Sequence, residues 1–241
     1  MGEARNLAAK KTQGSWLAFL DCDDVWFPSK LASQVEIART ENEDLGLIYA
    51  RTIYLSKDRR NGEEVFSRFE SIPLPEGQIL RQLLLQGDFI PLVSALVRKS
   101  AFEDVGGIPP HFEYAEDYYL FVALSEKYRI RAVQQNCCYY RVHEDNFTKK
   151  AKRAVYLEPL EIIDNWQHYL SPKEFSRRRA AISTGLAIFD FLHGTPSVKG
   201  LISLIRTVSI PFLLYRLSSR LGKPLVLAWR RRLLHAEKCG L

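Results

Sequence analysis

Cysteine is scarce in this chain: four in 241 residues, at Cys22, Cys137, Cys138 and Cys239. Their spacing fits no zinc site, and Cys137 and Cys138, as neighbours, point to opposite faces of any strand that holds them. A disulfide framework is not expected, and a reducing cytosol is the natural compartment. Long uncharged runs are also lacking. The Leu- and Ile-rich stretches Ser197 to Leu217 and Leu221 to Leu234 are broken by Arg206, Arg216, Pro211 and Arg230 to Arg232. None reaches the roughly 18 uncharged residues of a membrane span. Met1 to Gln13 is polar and helix-like, without the apolar run of a secretory leader. There is no internal repeat and no low-complexity segment.

What is present is an unevenly charged α/β sequence. Hydrophobic residues make up 46% and charged residues 26%, enough for one sizeable domain with an appendage. Residues 151–241 carry 15 Lys and Arg against 6 Asp and Glu, a net of +9, whereas residues 1–150 are net −3. The basic part suits an anionic surface as partner. Its Leu and Ile stretches fit an in-plane amphipathic anchor, with Leu201, Ile205, Phe212 and Leu213 entering the interface. A helical lid with a solvated basic face fits as well. No nucleic-acid partner is expected.

The pattern along residues 1–150 alternates strands and helices. Ala4 to Lys11 reads as a helix and Trp16 to Leu20 as a short, fully buried strand. Pro28 opens a helix to about Thr40, with Leu31, Val35 and Ile37 on or near one face. Gly46 to Tyr54 reads as a strand, Ser56 to Gly62 as a turn and Gly77 to Gly87 as a helix. Pro91 to Arg98 reads as a strand, followed by a short helix and a Gly106-Gly107 turn. Glu116 to Lys127 is a predicted helix and Ile130 to Val142 a strand. Beyond about Lys150 the pattern is helical. The expected organisation is an α/β domain over 1–150 and a basic helical region over 151–241.

The strand at Trp16 runs straight into Asp21-Cys22-Asp23-Asp24. Carboxylates at the end of a buried strand cost free energy unless a cation or hydrogen bonds compensate. Ligands of open α/β sheets gather at the carboxyl ends of strands. Alternating Asp side chains can share an octahedral cation with substrate phosphates. The competing explanation is a polar loop capping the next helix. Glu116-Asp117 opens a predicted helix, where acids also serve the dipole. If the fold brings this pair opposite the Asp cluster, one carboxylate can act as general base. His143, at a strand end, is a candidate metal ligand or phosphate contact, or a structural histidine.

Together these residues resemble the family 2 glycosyltransferases, whose fold is GT-A. The likeness runs from Ala4-Arg5-Asn6 through Gly14, Asp21-Cys22-Asp23-Asp24-Val25-Trp26, Pro28-Ser29-Lys30-Leu31 and Gln34. It resumes at Ser94 to Arg98, Val105-Gly106-Gly107, Glu116-Asp117-Tyr118-Tyr119-Leu120 and Tyr140-Arg141-Val142-His143, covering about residues 4–148. It implies a GT-A-like (Rossmann-like) mixed sheet flanked by helices, with a helical C-terminal region. It implies inverting transfer of a sugar from a nucleotide-sugar donor to a glycan or lipid-linked acceptor, in cell-envelope polysaccharide or glycan synthesis. Asp21 and Asp23 match the metal and diphosphate motif for Mg²⁺ or Mn²⁺, and His143 a further metal or phosphate contact. Asp117 matches the catalytic base, with Glu116 beside it. Arg5 and Asn6 belong to the helix supporting the nucleotide site. The protein would be cytoplasmic, peripheral on the inner face of the membrane.

One departure stands out. The family begins with a base- and ribose-binding half, and this sequence starts about where that half ends. Family layout and usual unit lengths put the difference at roughly 80 residues. An N-terminally truncated core is therefore expected, with an exposed edge at Trp16 to Leu20 and weak or no turnover by residues 1–241 alone. Two alternatives stand beside the transferase: a non-catalytic remnant that binds sugar or a membrane partner, and a haloacid-dehalogenase-type phosphatase with Asp21 as nucleophile.

Overall fold

The computed structural model describes residues 1–57, 64–67, 72–143 and 152–193. The expected amphipathic tail beyond residue 195 lies outside them. The chain divides into two compact units, Met1–Arg179 and Ala180–Leu241.

The first unit opens with α1 (Gly2–Lys11), β1 (Trp16–Ala18), β2 (Val25–Trp26) and α2 (Lys30–Thr40). Next come β3 (Leu45–Lys57), β4 (Glu64–Ser67), α3 (Leu80–Gln86), β5 (Leu96–Arg98) and α4 (Lys99–Asp104). It continues through α5 (Glu116–Lys127), β6 (Arg129–Val142) and α6 (Ala154–Asn165) into α7 (Pro172–His193), which crosses into the second unit. The sheet order is β1-β5-β3-β6-β2, with β4 paired to β3. Among the described strands, β3 and β6 run parallel and the other pairs are antiparallel. The fold is therefore mixed α/β, as the alternation of patterns predicts.

The core lies around the two long strands. Leu45, Ile48, Ala50, Leu96, Val133 and Cys137 form one buried cluster against which Trp16 and Ile37 pack. Cys137 and Cys138 are both buried, so both faces of β6 are covered there. The β3–β6 register slips between Ala50 and Thr52, where β6 carries the extra residues. Such a bulge bends a strand and re-aims the residues beyond it. Past it, β6 pairs with β2 through Val25 opposite Tyr139 and Trp26 opposite Cys138. The end of β6 is thereby set against the residues that precede β2.

Three expectations are corrected. The strand expected over Trp16 to Leu20 spans only Trp16–Ala18; Leu17 is buried, but Leu20 is 49% exposed. The chain must rise out of the sheet for its carboxylates to reach solvent. A three-residue edge strand also offers little backbone for unwanted pairing. The run Pro91 to Arg98 breaks into a 3₁₀ turn, Leu92–Ser94, and then β5. In α2, the inward positions are Lys30 and Gln34, while Leu31 is 41% exposed. Gln34 donates to the carbonyls of Ile48 (3.1 Å) and Ser94 (2.8 Å) and accepts from Lys30 Nζ at 2.8 Å. Lys30 also lies 4.4 Å above the Trp26 ring. Burial lowers the Lys30 ammonium to about 8. The helix thus buries donors for the Ile48 and Ser94 carbonyls beside Ile37, which packs against the core.

Candidate active site

A cleft of about 450 Å³ opens where the end of β1, the start of α5 and the end of β6 meet. Its walls include Arg5, Asp21, Asp23, Asp88, Glu116 and Asp117. Two motifs 95 residues apart in sequence thus share one cavity, the condition on which the Glu116-Asp117 pair depended.

Helix α1 joins them. The Arg5 guanidinium donates to Asp21 at 3.0 Å and, from its other arm, to Glu116. Glu116 is buried, and its Oε2 has no hydrogen-bond partner. Asn6 turns toward the Gly-Gly corner: its Oδ1 accepts from the Ile108 amide at 3.0 Å and its Nδ2 donates to the Ile108 carbonyl at 2.6 Å. Gly107 there has φ +71°, and a Cβ would come within 2.8 Å of Asn6 Oδ1. Glycine is needed for both the left-handed conformation and the close approach. Asn6 therefore locks the turn that precedes α5, while Arg5 reaches the cleft.

The opposite rim is built by the β2–β6 pairing. Asp24, 9% exposed, accepts the Arg141 amide at 2.8 Å. Its carboxyl rises to about 6, chiefly from burial, with repulsion from Asp23 and Asp21 added and the Arg141 amide opposing. Clamping Arg141 brings His143 round, and His143 Nε2 lies 2.8 Å from Asp23 Oδ2. Asp24 is thus the structural member of the cluster, and Asp23 meets His143.

Among the described residues, no group of three His, Cys, Asp or Glu could hold a metal. Asp23 and His143 are the carboxylate and imidazole that could share a divalent cation with phosphate oxygens and water, a donor set more usual for Mn²⁺ than for the oxygen-preferring Mg²⁺. Asp21 stands on the same rim but is engaged by Arg5.

Asp88 is a cleft residue that sequence patterns did not single out. Helix α3 ends at Gly87, whose φ of +88° turns the chain so that Asp88 enters the cleft. Tyr118 of α5 donates to the Leu83 carbonyl at 2.9 Å and fastens α3 to the start of α5. Asp88 Oδ1 accepts the Ile90 amide at 3.0 Å, and Asp117 Oδ1 accepts the Tyr118 amide at 2.8 Å. Asp88 is exposed to solvent through the cleft, with protein close around its carboxyl. Crowding and the charge of Asp117 push its carboxyl well above the usual range. Asp117 is raised by burial and by Asp21, against the pull of the Tyr118 amide and Arg5. The charge of Asp117 thus favours the protonated form of Asp88. Tyr54 and Tyr140, with ring centroids 5.5 Å apart, line the same cavity. Tyr54 rises to about 12 through burial and the nearby Asp88. A lone acid after a helix-ending glycine was the only sequence signal for Asp88.

The sequence model of a family described as "Glycosyltransferase like family 2" matches residues 1–199. An "Uncharacterized glycosyltransferase" of Haemophilus influenzae is 24% identical over 92% of this chain and 78% of its own length. An Escherichia coli protein named "UDP-Glc:alpha-D-GlcNAc-diphosphoundecaprenol beta-1,3-glucosyltransferase WfgD" is 25% identical over 60% of this chain. The match spans about half of that protein, 53%. Among solved structures, "Mannosyltransferase PcManGT from Pyrobaculum calidifontis in complex with GDP-Man and Mn2+" has a TM-score of 0.50 at 15% identity. That likeness covers 93% of this chain and 61% of the other, and shows a shared fold.

Proposed function

Since the chain belongs to the glycosyltransferase-like family 2, we propose that it moves a sugar from a nucleoside-diphosphate donor to an acceptor hydroxyl, inverting the anomeric carbon. Membership in this family removes the haloacid-dehalogenase alternative. The observation that carries the reading is the shared cleft, with Asp23 and His143 on one rim and Asp117 at the head of α5. Asp117 takes the acceptor proton as the acceptor oxygen attacks the anomeric carbon. The bond to the diphosphate breaks, and its electron pair leaves with the diphosphate. The raised carboxyl makes Asp117 a stronger base than an ordinary aspartate once ionised. Arg5 holds Glu116 and Asp21 in place, so the helix bearing the base and the donor rim keep one spacing. Mg²⁺ or Mn²⁺, held by Asp23 and His143, would neutralise charge on the leaving diphosphate.

The acceptor is read as a glycan or lipid-linked sugar of the cell envelope, on two supports. One is the diphosphoundecaprenol-linked acceptor in the name of the E. coli relative. The other is the net +9 of residues 151–241. The test uses UDP-glucose and GDP-mannose with Mn²⁺, measuring donor binding by calorimetry and nucleoside diphosphate release over hours. Binding that needs Mn²⁺ and slow release are expected. Asp117→Asn should lower release about 10²–10⁴-fold with donor binding kept. Undiminished release with a chelator, or from Asp117→Asn, overturns the assignment.

A further inference from the structure

Helix α6 carries a carboxylate that the transfer chemistry leaves unused. Glu158 is 8% exposed. Its Oε1 accepts the amide of Glu113 at 2.9 Å, and its Oε2 accepts those of Tyr114 and Ala115, both at 2.7 Å. Short amide bonds to an ionised acceptor are among the stronger hydrogen bonds in proteins. These three amides immediately precede α5, and Ala115 is its N-cap. The first amides of a helix have no partner within it, and their dipole favours a negative group. Glu158 supplies that group from a helix some 40 residues downstream.

The neighbouring contacts run the same way. Lys152 pairs with Glu113 at 3.0 Å and lies 6.0 Å from the Tyr114 ring centroid. Glu161 meets His111 at 3.1 Å. Past α6, Trp166 Nε1 and the Tyr169 hydroxyl donate to Glu126 at 2.8 and 3.0 Å. Helix α5 is thus held at its start by Glu158 and toward its end through Glu126. Between the two, Glu113, Tyr114, Glu116 and Asp117 line the cleft.

We propose that Glu158 is a positioning residue for sugar transfer: its three amide bonds fix residues 113–115 and thereby set where Asp117 and the Tyr114 wall stand relative to the acceptor hydroxyl. The proposal rests on Asp117 being the base. A carboxylate that merely stabilised the fold would leave the placement of the base unaffected. One that positions the base costs turnover when its bonds are lost, because small displacements of a reacting group are expensive.

Glu158→Gln tests it, since the amide keeps the shape but cannot accept all three bonds without turning an NH₂ toward an amide donor. Asp164→Asn on the same helix, whose partner is Arg179 and not the approach to α5, is the control. Amide hydrogen exchange at residues 113–115, Mn²⁺-dependent UDP-glucose and GDP-mannose binding, and nucleoside diphosphate release are read on the full chain. Glu158→Gln should speed exchange at 113–115 about tenfold, cut release about 10–100-fold, and keep donor affinity within about twofold of the unaltered chain. Unchanged exchange overturns the proposal, as does faster exchange with full release. So does a parallel fall in release and donor affinity, or loss of the cooperative thermal transition. Wild-type-like release from Asp117→Asn would instead sink the underlying base assignment, with the exchange result still standing for the latch.

Discussion

Asp117 and Asp88 make the cleft sensitive to pH at the scale of single residues. Both carboxyls are raised, so each keeps its proton at a pH where an ordinary aspartate has lost it. A base must be ionised, so turnover should rise with pH through an apparent value above the usual carboxylate range. The groups acting on the pair are the Ile90 and Tyr118 amides, Arg5 of α1 and Asp21 of the rim. The charge of Asp117 raises Asp88, whereas the charge that raises Asp117 is that of Asp21, so Asp88 is still protonated and neutral while Asp117 ionises. The acidic limb of kcat/KM in Asp88→Asn should therefore stay within about 0.3 pH units of that of the unaltered chain. A limb that moves to lower pH by about one unit would show that Asp88 is charged while Asp117 titrates. On the other rim, Asp23→Ala should lose Mn²⁺-dependent donor binding, whereas Glu36→Ala on the exposed side of α2 should not. Asp21, Asp23, Asp117 and His143 were legible because each sits in a patterned stretch. Asp88 was not, because only the packing of α3 against α5 brings it to Asp117.

Helix α2 shows what a pattern of residues can and cannot convey about an element. Its extent was readable from Pro28 and the helix-forming run to Thr40. Its orientation was not. Leu31, Val35 and Ile37 were expected on or near one face; Ile37 does pack against the core, but Leu31 is exposed and the fully buried positions are Lys30 and Gln34. The carbonyls of Ile48 and Ser94 need donors there, and Gln34 provides both. Gln34→Ala would strand those two acceptors and the Lys30 ammonium together. It should lower unfolding stability by about 3 kcal/mol in denaturant titration. Leu31→Lys should change it by about 0.5 kcal/mol or less. Equal effects of the two substitutions would contradict the observed orientation. Helix α5 behaved differently. Its bounds matched expectation, because acids at its start and Lys127 at its end suit the dipole, and its inward residues are apolar apart from Glu116 and Ser125.

For the whole molecule, charge is distributed as unevenly as its elements. None of the described helices is long and apolar enough to cross a membrane. The residues after about 195, read as an amphipathic anchor, lie outside the described structure. The electrostatic proposal for the full chain is open to direct measurement. With residues 151–241 at net +9, each basic group near an anionic surface adds on the order of 1 kcal/mol. The chain should co-sediment with anionic vesicles at about 0.1 M salt and be released near 0.5 M, as the Debye length shortens. Equal binding to neutral vesicles, or none to either, would favour the solvated-lid alternative.

The sequence by itself determined the class of fold, the positions of most elements and the chemical character of both motifs. These depend on local periodicity, on punctuation by Gly and Pro, and on which side chains occupy a stretch. The tertiary structure decided which of those residues meet. Pairing of β2 with the end of β6, after a register slip in β6, sets His143 against Asp23. Arg5 ties Asp21 to Glu116, and the turn at Gly87 delivers Asp88 beside Asp117. No local pattern encodes such meetings. They arise from strand register and helix packing, fixed jointly by burial and by the need of every buried polar group for a partner.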